Sequence, residues 1–174
     1  LIKITAPGIP DIYQGSELWN FSYVDPDNRR PVDYSLRQQF LKDISEKENK
    51  EEVLSYITQH KTEGAQKLFL IQQSLNFRKK YPDLFIHGEY IPLPFPGEDG
   101  LTYARRHENK FVIIITPLIS KNKEGASFYD GLKGAAIQLP GGWPISWENE
   151  FTGEIYPAGE TLLLSPVFKK FPVA

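Results

Sequence analysis

Between positions 13 and 33 the chain gathers Tyr13, Glu17, Asp25, Asp27, Asn28, Arg29, Arg30 and Asp33. The carboxylates accept hydrogen bonds, the amide does both, and the two guanidinium forks donate in a fixed geometry. Tyr13, Trp19, Phe21, Tyr23 and Tyr34 add flat apolar faces to the same stretch. A pyranose ring carries hydroxyls around its rim and C–H patches on its faces, so this mixture of residue types suits a sugar. The same charges also suit a brace, with Asp25 and Asp27 pairing to Arg29 and Arg30 across a long loop. Exposed pairs of that kind contribute about 0–1 kcal/mol. Composition leaves both readings open. A nucleic-acid reading is weaker, because Arg29 and Arg30 stand between Asp27 and Asp33, which repel phosphate.

Other chemistries find little support. His60, His87 and His107 sit near predicted element ends without metal-ligand spacing, and no metal is expected. Cysteine is absent, which removes disulfides, thiolate nucleophiles and thiolate metal sites, and is compatible with a cytoplasmic protein. There is no GxSxG elbow and no phosphate-binding glycine loop, and no cofactor is expected. Hydrophobic residues make up 40% and charged residues 24%, the balance of an ordered globular protein. A net charge of −2 gives no reason to expect nucleic acid or a membrane surface as partner. No apolar run approaches the roughly 18 residues of a transmembrane helix. Asn20-Phe21-Ser22 matches a glycosylation sequon, but no signal-like segment precedes it.

The elements that must position the loop are legible on both sides of it. Ile9 to Gly15 reads as a short strand, with Pro7, Gly8 and Pro10 at its start. Ser35, with Gln38 three residues on, reads as the cap of a helix carrying Leu36, Phe40 and Ile44. Asn49 with Glu52 reads as the cap of a second helix carrying Val53, Leu54 and Ile57. A third is predicted from about Glu63 to Tyr81, with Leu68, Ile71, Leu75 and Arg78 near one face and Pro82 as its stop. After Gly88 the helical period disappears. EYIPL, LTYARRH, KFVIIIT, AAIQL, ISWENEF and TLLLSPV read as short strands, the second and third forming a hairpin across Glu108-Asn109. Phe111 to Ile115 is expected to be buried on both faces. Tyr90, Tyr103, Trp143, Trp147 and Tyr156 are expected mainly in core or turns. Methionine is missing, and Leu1, Ile2 and Ile4 have no cap or turn ahead of them, so the chain is read as a fragment of a longer one.

Two motifs carry a resemblance. Gly8-x-Pro10-x-x-Tyr13-x-Gly15-x-Glu17 resembles the eighth barrel strand of the α-amylase family, and LNFRKKYPDLF resembles the end of that family's last barrel helix. The run TAPGIPDIYQGSELWNFSYVDPDNRRPVDY (5–34) narrows this: it is similar to the maltooligosyl trehalose synthase family, the (1→4)-α-D-glucan 1-α-D-glucosylmutases. KYPDLFIHGEYIPL, the GGW turn, Phe151-Thr152-Gly153 and the terminal FPVA agree in order. The resemblance implies an α+β fragment: residues 1–85 are the last strand and helices of a (β/α)8 barrel, and 86–174 an antiparallel β-sandwich. Strand eight would be 9–15, its βα loop 16–33 and the closing helices 35–81. It implies a parent enzyme that turns the reducing-end α-1,4 linkage of a maltooligosaccharide into an α,α-1,1 linkage. The catalytic carboxylates would lie outside this chain, which is expected to be inactive alone, with the missing N-terminal barrel part as its partner. Tyr13, Glu17, Asp25, Asp27, Asn28, Arg29, Arg30 and Asp33 are then expected to bind substrate, and no residue here is assigned a catalytic role. The alternatives are another glucan-active α-amylase-family enzyme and a non-catalytic carbohydrate-binding or structural β-domain.

Overall fold

The computed structural model describes residues 1–22, 24, 25, 29–118 and 128–174. Among the described residues five α-helices precede the strands: α1 (Ile2–Thr5), α2 (Tyr34–Ser45), α3 (Lys50–Gln59), α4 (Ala65–Lys80) and α5 (Pro82–Ile86). The cap of α2 is Asp33, not Ser35: its Oδ1 accepts from the Leu36 amide at 2.9 Å. A carboxylate caps at least as well as a hydroxyl and also meets the positive end of the helix, so the start moves two residues upstream. For α3 the expected cap stands, with Asn49 Oδ1 accepting from the Glu52 amide at 3.0 Å. Val53, Leu54 and Ile57 are buried beneath it, as its spacing requires.

Helix α4 is shorter than expected and presents a different face. Ala65, Leu68, Phe69 and Ser74 are buried, whereas Leu75 is exposed. Arg78 is turned to the start of the chain, donating to the carbonyls of Ile4 at 2.8 Å and Gly8 at 2.6 Å. Pro82 both ends α4 and opens α5, where its missing N–H costs nothing.

The segment 9–15 is not a strand. It runs without ladder partners into a turn over 14–17, and Ile9 is 96% exposed. A strand is stabilised by neighbours, and every ladder among the described residues lies beyond position 88, so nothing here pairs with it.

Beyond Gly88 the strands are antiparallel. β1 (Glu89–Leu93), β2 (Gly100–His107) and β3 (Lys110–Pro117) form one sheet in that order, and the β2–β3 hairpin turns at Glu108-Asn109 as predicted, with Glu108 at φ 54°. β4 (Ala136–Gln138) pairs with β7 (Thr161–Leu163), and β5 (Ser146–Glu148) with β6 (Ile155–Pro157). TLLLSPV breaks after three strand residues into a short helix, α6 (Leu164–Val167), because Pro166 has no N–H for a ladder but fits a first helical turn. Ile113, Ile114 and Ile115 are buried, while Phe111 and Val112 are half-buried. Tyr103 is 1% exposed, and Trp143, Trp147 and Tyr156 pack against buried strand residues.

Among the described residues two apolar clusters form the core. One joins Ala104, Ile113 and Ile115 to Ile137, Leu162 and Leu164. The other surrounds Ile57, Leu68 and Phe69 and draws in Phe151, Phe171 and Val173 from the far end of the chain. Asn149 delivers Phe151 there, its Oδ1 accepting from the amides of Phe151 at 2.9 Å and Thr152 at 3.3 Å. The last residue is stitched to the sheet, Ala174 donating to the Ile115 carbonyl at 2.9 Å and accepting in return. No helix among the described residues is long and apolar enough to cross a membrane.

Candidate functional site

The loop after Gly15 is tied to the helices at both ends. Gly15 has φ +88°, and a Cβ there would stand 3.1 Å from Val32 Cγ2, so the two ends of the loop meet at a residue without a side chain. Arg37, in the first turn of α2, closes this junction. Its Nε donates to Glu17 Oε2 at 2.9 Å, Nη1 to the Asp33 carbonyl at 2.8 Å, and Nη2 to the Gly15 carbonyl. Arg37 and Glu17 side chains are only 13% and 24% exposed, so this pair is better shielded than an ordinary surface bridge. Burial by itself would raise the Glu17 carboxyl. Backbone hydrogen bonds and the Arg37 bond and charge outweigh that and hold it below the usual carboxylate value.

A second tie holds the middle of the loop against the α3–α4 turn. Gly64 has φ +97°, and a Cβ there would lie 2.8 Å from the Trp19 amide nitrogen; only glycine permits so close a passage. Trp19 Nε1 donates to the Lys61 carbonyl at 2.9 Å, Lys67 Nζ donates to the Leu18 carbonyl at 3.1 Å, and Leu18 is buried. The Lys67 ammonium stands 5.5 Å from the Trp19 ring centroid. Burial pushes the Lys67 pKa down, and the Glu17 charge offsets part of that.

These ties leave a pocket of about 340 Å³, whose polar lining includes Gln14, Asn20, Arg30 and Asp33, with Trp19 and Phe21 as aromatic walls. Of the eight residues expected to bind sugar, Arg30 and Asp33 line it. Glu17 lies behind it in the Arg37 pair, and Asp33 doubles as the α2 cap. Tyr13 is exposed, its carbonyl accepting from Ser16. Asp25 and Arg29 pair with each other, Nε to Oδ1 at 2.9 Å, with both side chains more than half exposed. Asp27 and Asn28, with the aromatic Tyr23, lie outside the described residues. Gln14, Asn20 and Arg37 were missed by sequence reasoning. Arg37 left one signal, a cation in the first turn of a helix, where the dipole disfavours it unless a carboxylate is nearby.

A second cavity, about 360 Å³, separates the helices from the sheet; Phe77, Phe85, Phe111, Ile113 and Trp147 line it. Its walls are largely aromatic and aliphatic, an imperfect fit between layers and a poor reader of hydroxyls. Among the described residues no three His, Cys, Asp or Glu side chains are grouped to hold a metal ion.

The fold class is α+β with antiparallel strands, and this class of chain has solved counterparts. No family model matches the sequence. The structure of maltooligosyltrehalose synthase from Arthrobacter ramosus superposes with a TM-score of 0.64 at 26% identity, covering 99% of this chain and 20% of that one. A second crystal structure of maltooligosyl trehalose synthase gives a TM-score of 0.67 at 26% identity over 92% of this chain and 19% of that one. Two Mycobacterium tuberculosis proteins, from strains CDC 1551 and H37Rv, bear the name "Putative maltooligosyl trehalose synthase" and are 33% identical over 155 residues, 88% of this chain. The chain is homologous to a segment of maltooligosyl trehalose synthases and spans 17% of the length of those curated relatives.

Proposed function

We propose that the chain serves as part of an enzyme that isomerises the reducing end of a maltooligosaccharide from an α-1,4 to an α,α-1,1 linkage. In this reading residues 1–85 complete a (β/α)8 barrel, 86–174 form a β-sandwich packed on it, and loop 16–33 walls the reducing-end sugar site. The observation that carries it is the polar pocket with aromatic walls, in a chain homologous to maltooligosyl trehalose synthases.

The chemistry is two displacements at one anomeric carbon. A carboxylate attacks C1 of the penultimate glucosyl unit as a second carboxyl donates a proton to the departing O4 of the terminal glucose. The freed glucose turns within its site. Its anomeric hydroxyl then attacks C1 of the glycosyl-enzyme, losing its proton to the second carboxylate and releasing the first. Both carboxylates are assigned to the remainder of a longer chain, about 5–5.5 Å apart in a retaining site, and residues 1–174 alone are inactive. Glu17 is unsuited to either role, since its Oε2 accepts from Arg37 and its side chain is largely shielded from solvent. What this chain supplies is the wall that retains glucose while it turns and excludes the water that would hydrolyse the intermediate. Such an enzyme acts on a cytoplasmic glucan.

In the intact enzyme, Arg30→Ala should raise glucose release relative to trehalosyl product, read by chromatography of both. An unchanged product ratio at unchanged turnover overturns the assignment, as does lost stability with normal partitioning, which is what a brace would give.

A further inference from the structure

Five aromatic residues stand in or beside the loop, and those described differ in how they are held. Tyr13 and Phe21 are 52% and 71% exposed. Tyr34 hydrogen-bonds Gln14 at 3.2 Å and is 51% exposed. Trp19 alone among these combines roughly half exposure with fixation from several directions. Its amide passes against Gly64, its indole N–H is spent on the Lys61 carbonyl, and the Lys67 ammonium stands over its ring. A ring that is already immobile loses no rotamer freedom when a ligand covers it. An indole whose N–H is satisfied offers its partner only a flat apolar surface. Trp19 also separates two spaces, the polar pocket with Gln14, Asn20 and Arg30 and an apolar cleft with Ile4, Ile12 and Ile71. Both carry an aromatic wall and some polar side chains, Lys3, Ser16, Gln66 and Lys67 in the cleft. Only the first of the two is lined mainly by polar surface, the setting a ring of hydroxyls needs.

We propose that Trp19 is the stacking wall of the polar pocket, and that its occupant is one terminal glucosyl ring of an α-1,4-glucan. The ring lays its C–H face on the indole and turns its hydroxyls to Gln14, Asn20 and Arg30. This rests on the sugar-wall reading above and adds to it the residue that sets affinity. The face, not the edge, of Trp19 selects the ligand, so a gluco-configured ring with equatorial hydroxyls and an unbroken C–H face is preferred to a flat or charged one. The loop charges Asp25 and Arg29, engaged with each other, are spectators.

The test uses the intact protein labelled with fluorotryptophan, the Trp19 signal in the fluorine spectrum being the one lost in Trp19→Phe. Titration with maltopentaose should move that signal saturably. Trp19→Ala should weaken binding about tenfold, the scale of one aromatic contact, whereas Trp19→Phe retains most of the affinity because a ring remains. Gln14→Ala should weaken binding as well, since it lines the polar side only. If Trp19→Ala does not fold, the fluorine shift together with Gln14→Ala decides. Maltopentaose binding that leaves the Trp19 signal in place, or that Trp19→Ala does not weaken, overturns the stacking role and leaves the sugar-wall reading intact. A shift at Trp19 with Gln14→Ala at full affinity places the ligand in the apolar cleft and overturns the proposal. Maltopentaose binding that survives Trp19→Ala, Gln14→Ala and Arg30→Ala together overturns both readings.

Discussion

Arg29 on the loop and Arg105 on β2 carry the same side chain in opposite settings. Arg29 projects into solvent, 71% exposed, against an acid four residues away. Arg105 is 2% exposed, and among the described residues no carboxylate lies within ion-pair distance. Its Nη2 donates to the carbonyls of Phe85 at 3.0 Å and Gly88 at 2.8 Å, and its Nη1 reaches that of Thr5 at 3.5 Å. Thr5 ends α1, while Phe85 and Gly88 flank the end of α5. Helix ends leave carbonyls without partners and bear partial negative charge, so two of them together replace a counter-ion. Burial, and after it the charge of Arg78, press the Arg105 pKa down. In this chain, then, charge density in the sequence does not locate the charge that matters for cohesion. DPDNRRPVD is conspicuous and its described residues are mostly exposed, whereas one arginine of LTYARRH fastens the start of the chain and the end of the helices to the sheet.

The sharpest way to break this contrast is at Arg105. Arg105→Ala strands the buried carbonyls of Thr5 and Phe85 and the half-buried one of Gly88 and opens a void, and should cost about 3 kcal/mol or more in urea unfolding. Arg105→Met fills the space without a buried charge and should be milder than Ala. Arg105→Lys keeps the charge but loses the fork that spans two carbonyls at once, so it should fall between wild type and Ala. A cost below about 1 kcal/mol for Arg105→Ala would mean that the seam is held by packing alone.

Arg37 stands between the extremes and should show an intermediate effect. Arg37→Ala frees both ends of loop 16–33 and should cost about 1–2 kcal/mol, with faster amide exchange confined to that loop. The pair is also pH-dependent. The Glu17 carboxyl is held below its ordinary value of 4.5, so its contribution is complete above that pH and lost as pH falls through the lowered folded value. Glu17→Gln should therefore flatten the acid side of the stability profile while lowering stability at neutral pH. An acid limb that Glu17→Gln leaves unchanged assigns that limb to other carboxylates.

What could be read from the residues divides along sequence distance. The Asn49 cap and the hairpin at Glu108 are contained within a few residues, and both stand in the structure as read. The supposed strand 9–15 carries local β preference, but its outcome depends on partners that the preference does not supply. Ser35 lost to Asp33 because two good caps lay two residues apart, and it is the Asp33 carboxylate that accepts from the Leu36 amide. Trp19 was visible as an aromatic in a polar loop. Its pinning to Lys61 joins residues 42 apart, and the Arg105 bond to Thr5 joins residues 100 apart, so neither leaves a local trace. The pocket was therefore half legible: its residue types were visible, while the partners that hold them rigid were not.

The smallest effect belongs to the most conspicuous charges. Asp25 and Arg29 are 56% and 71% exposed, so water and salt screen their attraction, and holding both side chains costs rotamer freedom. A double-mutant cycle with Asp25→Ala and Arg29→Ala should return a coupling of about 0–1 kcal/mol, vanishing in high salt. If Trp19 and Arg30 carry the sugar contact, the same two substitutions should also leave maltopentaose affinity within about twofold. A coupling well above 1 kcal/mol that survives molar salt would place this pair with Arg37 as part of the loop's frame. A tenfold loss of affinity with little coupling would instead move the sugar contact out to the loop tip. Each outcome shifts the boundary between brace and binding surface by named residues, and the contrast with Arg105 is strongest where the coupling is nearest zero.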